Sequence, residues 1–133
     1  MGRRSGSNGS PPTPAYAAAV PDGASPTRVA LIGAGPWGSN IGRTLAAIGA
    51  LAAIADLDED RARRLADECG VPARSLQSIL DDDGIHAVAV AVPAALHAEV
   101  GLRVLDAGQH LFVEKPLALY LADAEQLVER AAA

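Results

Sequence analysis

An α/β fold with a doubly wound parallel sheet is what this sequence predicts, on three observations. Short apolar runs alternate with amphipathic helical segments from Thr27 onward. One run, Ala87–Val92, is apolar at every position, as strands are when helices cover both faces. Another, Arg28–Ile32, breaks at glycine and passes straight into a helical pattern. Repeated strand–helix units require right-handed crossovers and parallel strands.

Each element has its own signal. Arg28–Ile32 is the first strand, and the helix after it runs from about Pro36 to Ile48, with Ile41, Leu45 and Ile48 on one face. Leu51–Ala55 is the second strand. Asp58 caps the next helix, where Ala62, Leu65, Ala66 and Cys69 recur at i, i+3, i+4, i+7, and Gly70 and Pro72 stop it. Cys69 therefore reads as a small buried hydrophobe. A weak third strand is expected at Val71–Arg74, then a short helix capped by Ser75 and reaching Leu80. Asp81-Asp82-Asp83-Gly84 is a solvated turn without the second ligand cluster a metal site needs, so no metal is expected. Ala87–Val92 is the fourth strand, Ala94 to Ala107 a helix ended by Gly108, His110–Val113 the fifth strand, and Leu121 to Ala132 the last helix. Residues 1–26, rich in Gly, Ser, Pro and Ala, read as a disordered tail, and residues 27–133 as one domain.

Composition narrows the partners. The chain has 133 residues, 50% of them hydrophobic but only 3% aromatic, so the core is aliphatic. A net charge of −5 is the opposite of a nucleic-acid footprint. No stretch reaches membrane-spanning length, and Arg3-Arg4 is followed by an apolar patch too short for an export signal. One cysteine excludes an internal disulfide and fits a reducing cytoplasm. Lys115 is the single lysine among eleven basic side chains, the others being arginine.

Gly33, Gly35 and Gly38 stand in the G-x-G-x-x-G spacing of a dinucleotide-binding turn. The first makes a tight turn, the second lets backbone approach a pyrophosphate, and the third lets helix and strand pack closely. The pyrophosphate then rests on the helix N-terminus. Pro36 suits the first helical position but lacks an N–H, which leaves more of the phosphate contact to the Trp37 and Gly38 amides. Asp56 ends the second strand near the offset at which an acid accepts the adenosine ribose hydroxyls. It would repel a 2′-phosphate, and Arg61, Arg63 and Arg64 come only a turn later, so NAD is favoured over NADP. Asp56 could instead serve the helix start at Asp58.

Two further segments leave strands at the carboxyl edge of the sheet, where ligands bind in such folds. Val92-Pro93-Ala94-Ala95-Leu96-His97 puts His97 on a first helical turn, as a cofactor or substrate contact or as a packing residue. Glu114-Lys115-Pro116 puts a lysine where it could move the proton of an alcohol. Read by itself, it is equally an ordinary surface turn.

The span Val88 to Ala118, V-A-V-A-V-P-A-A-L-H-A-E-V-G-L-R-V-L-D-A-G-Q-H-L-F-V-E-K-P-L-A, with Gly33 to Asn40, resembles the Gfo/Idh/MocA family of NAD(P)-dependent oxidoreductases. The Trp37-Gly38 turn with Ile54–Asp58 is most similar to members acting on nucleotide sugars, such as 3-dehydrogenases of UDP-N-acetylhexosamine derivatives. The resemblance implies a Rossmann domain and hydride transfer between a sugar carbinol and nicotinamide. It makes Lys115 the catalytic lysine, with Glu114 and Pro116 shaping the nicotinamide end. Gly33, Gly35, Trp37, Gly38, Asp56, Val92, Pro93, His97 and Glu114 become the cofactor-binding set, His97 matching the family's histidine after the strand-four proline. Val92 departs from the usual Ser or Thr, and Ala94 from a frequent Asn.

Members of this family continue into a second α/β domain with an open antiparallel sheet, which supplies the substrate pocket and most oligomer contacts. The expectation here is the NAD-binding portion alone, with a sugar or nucleotide-sugar substrate once a second domain completes it. The alternative is a catalytically inactive fragment that needs a partner chain or self-associates. A methyltransferase with a similar glycine turn would leave Glu114-Lys115-Pro116 unexplained.

Overall fold

The computed structural model describes residues 26–133, so all but the last residue of the expected tail lies outside the described residues. Strands β1 (Val29–Ile32), β2 (Leu51–Ala55), β3 (Ala87–Val90) and β4 (His110–Val113) form one sheet in the order β2-β1-β3-β4. Every pairing is parallel. Helices α1 (Pro36–Ala47), α2 (Glu59–Cys69), α3 (Leu76–Leu80), α4 (His97–Asp106) and α5 (Leu121–Ala132) connect and follow them. The doubly wound α/β arrangement is therefore present.

The alternation along β1 explains the two-sided core. Ala30 and Ile32 join a cluster with Ile79, Val88, Val90, Val100 and Val104, on the side of α3 and α4. Leu31 joins Ile54, Leu65, Ala66 and Ala89 on the side of α1 and α2. Successive strand residues face opposite ways, so one buried strand seeds both layers. Each fully buried Leu or Ile contributes about 1.5–3 kcal/mol.

Local chemistry fixes the ends as expected in several places. The Asp58 carboxylate accepts the Arg61 N–H at 3.1 Å, and Glu59 and Asp60 complement the positive end of α2. Gly70 closes α2 in a left-handed conformation, φ 71°. Ser75 caps α3 through the Ser78 N–H.

Three expectations are corrected. Val71–Arg74 is not a strand; the pairing there is one parallel bridge between Ile54 and Ala73. The Ile54 N–H donates to Pro72 O and the Arg74 N–H to Ile54 O, at 3.1 and 2.8 Å. Pro72 has no N–H to extend the ladder, and Ser75 already starts α3. The fourth predicted strand ends at Val90 rather than Val92, because its neighbours turn away there, β1 into Gly33 and β4 into Glu114. The helix expected from Ala94 opens with a 3-10 turn, Ala94–Leu96, before α4. Among the described residues, no helix is long and apolar enough to cross a membrane.

Candidate functional site

The strand ends open on a cleft of about 1020 Å³ at the point where β1 passes to α1 and β3 to α4. Gly33 has φ 106°, and a Cβ there would lie 2.5 Å from the Ala91 carbonyl oxygen. A Cβ on Gly38 would lie 2.0 Å from the Gly33 carbonyl oxygen, so α1 touches the turn backbone directly. Gly35 differs: a Cβ there would face open cleft, its nearest neighbour the Arg61 guanidinium at 3.7 Å. Two of the glycines therefore close the turn, and the middle one leaves a bare surface for a ligand.

The N-terminus of α1 begins at Pro36 with Gly35 as N-cap, no capping side chain and no acid in its first turn. Its own first turn supplies no capping group or acid to the positive end, which leaves the N–H groups there open to an anion. Asp56 braces this cradle. One carboxylate oxygen accepts the Ala34 N–H at 2.7 Å and the other the Asp58 N–H at 2.8 Å. A carboxylate offers about four lone-pair sites, so two remain for ribose hydroxyls. The bracing role and the ribose role are thus compatible.

Gly33, Gly35, Trp37, Gly38, Asp56, Val92 and Pro93 all line the cleft. Trp37 stands 59% exposed at its rim. His97, Glu114 and Lys115 are not on its wall. His97 was expected to contact a cofactor, but it is 2% exposed and has both ring nitrogens occupied. Nδ1 lies 2.6 Å from the Pro116 carbonyl oxygen and Nε2 2.9 Å from that of Val92. No polar ring atom is left for a ligand. Glu114 is half-buried and Lys115 exposed, on the loop leaving β4 beside the β3 exit, and the Lys115–Pro116 peptide is cis.

The cationic rim holds Arg61 and Arg63, which the sequence sets a turn beyond Asp56, and Arg74 and Arg103, which sequence reasoning missed. Arg103 stands one turn after Glu99 on α4, a spacing visible in the sequence, and donates to Gln77 at 3.0 Å. Arg74 is committed to Asp82 at 2.7 Å and to Ser78. The Arg74 bond, aided by the Gly84 N–H, holds the Asp82 carboxyl below its ordinary range. Arg63 pairs with Glu59 and Asp60 at 3.4 and 3.8 Å, and Arg61, 4.0 Å from Asp58, is the guanidinium that reaches the glycine turn. Cys69 is half-buried beside the Leu31 cluster, and desolvation pushes its thiol upward. Among the described residues, no group of His, Cys, Asp and Glu could hold a metal.

These residues fit a dinucleotide: a bare glycine surface, a helix start with no side-chain cap and an acid at the second strand's end. The profile of the oxidoreductase family with an NAD-binding Rossmann fold, GFO_IDH_MocA, matches residues 27–133. GenD2 from gentamicin A biosynthesis, solved in complex with NAD, is 34% identical and superposes with TM-score 0.76, over 85% of this chain and 34% of that one. The 3-ketoreductase KijD10 from Actinomadura kijaniata, in complex with NADP and TDP-benzene, is 36% identical with TM-score 0.74, over 81% and 34%. The UDP-N-acetylglucosamine 3-dehydrogenase GnnA from Acidithiobacillus ferrooxidans is 29% identical with TM-score 0.76, over 82% and 34%. The chain spans 21%, 32% and 33% of three curated relatives it matches. It belongs to the Gfo/Idh/MocA oxidoreductase family and carries that family's NAD(P)-binding Rossmann domain.

Proposed function

We propose that this chain is the cofactor-binding part of a sugar or nucleotide-sugar dehydrogenase that uses NAD in preference to NADP. The observation that carries the reading is the shared carboxyl edge of the sheet, where the Asp56-braced glycine turn and the Lys115 loop both emerge. The pyrophosphate would lie across Gly35 on the start of α1, with the Trp37 and Gly38 amides donating. Asp56 would accept the ribose hydroxyls and disfavour a 2′-phosphate. Val92, Pro93 and Glu114 would flank the nicotinamide end, the ring giving or taking the hydride when bound. Lys115 would take the hydroxyl proton as a carbinol carbon gives up its hydride, and return it in the reverse direction. The unpaired cysteine and the cofactor fit a cytoplasmic setting.

A neighbour bound to NADP, and Arg61 close to Gly35, make the cofactor preference the point to measure. Calorimetric titration should give tighter binding of NAD than NADP to the 133-residue chain. Asp56→Ala should narrow that gap, and Arg61→Ala should weaken NADP more than NAD. Equal affinities for both would overturn the preference.

The share of the relatives that the chain spans supports a second statement, that it needs further protein to turn over a sugar. That protein is a second domain, another copy or a complementing chain. Alone, it should bind NAD and form no NADH with a sugar panel. Sugar-dependent NADH formation by this chain alone would refute this.

A further inference from the structure

We infer that His97 is a positioning residue whose imidazole latches the Glu114–Pro116 loop to the end of β3 and thereby sets the place of Lys115. The importance of that place rests on the function proposed above; the latch itself does not. The ring is almost wholly buried at the first turn of α4, so its own position is set by the helix and the core. It reaches one carbonyl on each side: Val92, where the chain leaves β3 along the cleft wall, and Pro116, next to Lys115. A carbonyl only accepts and a neutral imidazole carries one N–H, and the latch assigns that N–H to Nδ1, the ring nitrogen 2.6 Å from the Pro116 carbonyl oxygen. Among the described residues, the contact to Pro116 is the one hydrogen bond made by residues 115–119. The preceding tie is the 3.4 Å bond from the Glu114 N–H to Val90 O, and the next belongs to α5. No ion pair to Lys115 exists among the described residues. Without the ring, the lysine's backbone would hang between two anchors with no polar tether of its own.

Two substitutions separate the two bonds. The side-chain nitrogen of Asn stands where Nδ1 stands in histidine, so His97→Asn keeps the tie to Pro116 and loses that to Val92. The nitrogen of Gln stands where Nε2 stands, so His97→Gln keeps Val92 and frees the loop. Lys115 is the only lysine, so selective 15N-lysine labelling gives one backbone amide resonance that reports this loop alone. We expect His97→Asn to keep the wild-type heteronuclear NOE at that amide and His97→Gln to lower it, because the second frees the Pro116 carbonyl. Thermal melts would show both folded. Equal values in the two variants would overturn the latch, because a purely packing role treats them alike. Should either variant fail to fold, the wild-type chain decides. A slowly exchanging His97 Nδ1–H resonance, coupled through the bond to the Pro116 carbonyl, supports the latch, and its absence refutes it. Neither measurement uses cofactor or sugar. A Lys115 dispensable for turnover would therefore sink the proposed function and leave the latch standing, and equal relaxation at the Lys115 amide in the two variants would do the reverse.

Discussion

β1 and β4 are both four-residue parallel strands, and both release their chain into the same edge of the sheet. Their surroundings differ. β1 lies between β2 and β3 and is buried from Ala30 onward, whereas β4 borders the described sheet and alternates exposed and half-buried. The loops that leave the two strands inherit that difference. The turn after β1 is held by backbone contacts that leave no space for a Cβ at Gly33 or Gly38, and by a carboxylate reaching across from the end of β2. The segment after β4 carries Leu119, Tyr120 and Leu121 at 55%, 70% and 75% exposure, and one histidine ties it down. Geometry in the first region comes from close packing, and in the second from a single polar latch.

Breaking the first region should cost most. Gly38→Ala puts a methyl group into the Gly33 carbonyl and should destabilise the chain by about 3 kcal/mol or more, read by chemical denaturation. A loss under about 1 kcal/mol would mean that the turn is looser than its contacts imply. Asp56→Ala strands the N–H of buried Ala34 and should cost about 2 kcal/mol in the same assay. In the second region, Lys115→Met should leave the unfolding midpoint within about 0.5 kcal/mol of the wild type. In an enzyme completed by a substrate domain, it should abolish turnover with NAD affinity kept; full turnover would remove Lys115 from the mechanism.

A smaller effect tests electrostatics away from both regions. Asp82 is held below the usual carboxylate range by Arg74, so the unfolded chain binds its proton first as pH falls. Its contribution to stability is complete above the unfolded value of about 4 and is lost as pH drops through the folded one. Asp82→Asn should flatten the acid limb of a stability–pH curve, and an unchanged limb would show that the pair contributes nothing. Smallest of all, Cys69 should react with a thiol reagent more slowly than a free cysteine at neutral pH, because burial raises its pKa. Reaction at the free-cysteine rate would mean that α2 frays there.

The sequence was legible where the cause is local. Asp58, Ser75 and Gly70 act on amides or φ angles within a few residues of themselves, and each stands where its chemistry predicts. The parallel sheet was legible for a similar reason, since strand–helix alternation leaves few topologies. Legibility failed where the partner is distant in the chain. The bridge at Ala73 depends on a missing N–H at Pro72 and on the Ile54 edge. His97 depends on two carbonyls, the farther one beyond β4, and a main-chain acceptor leaves no trace in residue identity. Arg61 was placed a turn from Asp56 along the chain, but α2 leans it over Gly35.

The bond from the Ala34 N–H to Asp56 would constrain how the proposed cofactor preference could be changed. Under the proposed function, the obvious route to NADP is to remove an acid that would oppose a 2′-phosphate, and that removal also withdraws the brace from the Ala34 amide at the start of the glycine turn. A variant library that starts at Asp56 therefore begins with a folding handicap. The cheaper trajectory starts at Leu57, which is 94% exposed on the cleft, or at exposed Arg61, where new cationic or hydroxyl groups can be tried without disturbing the turn.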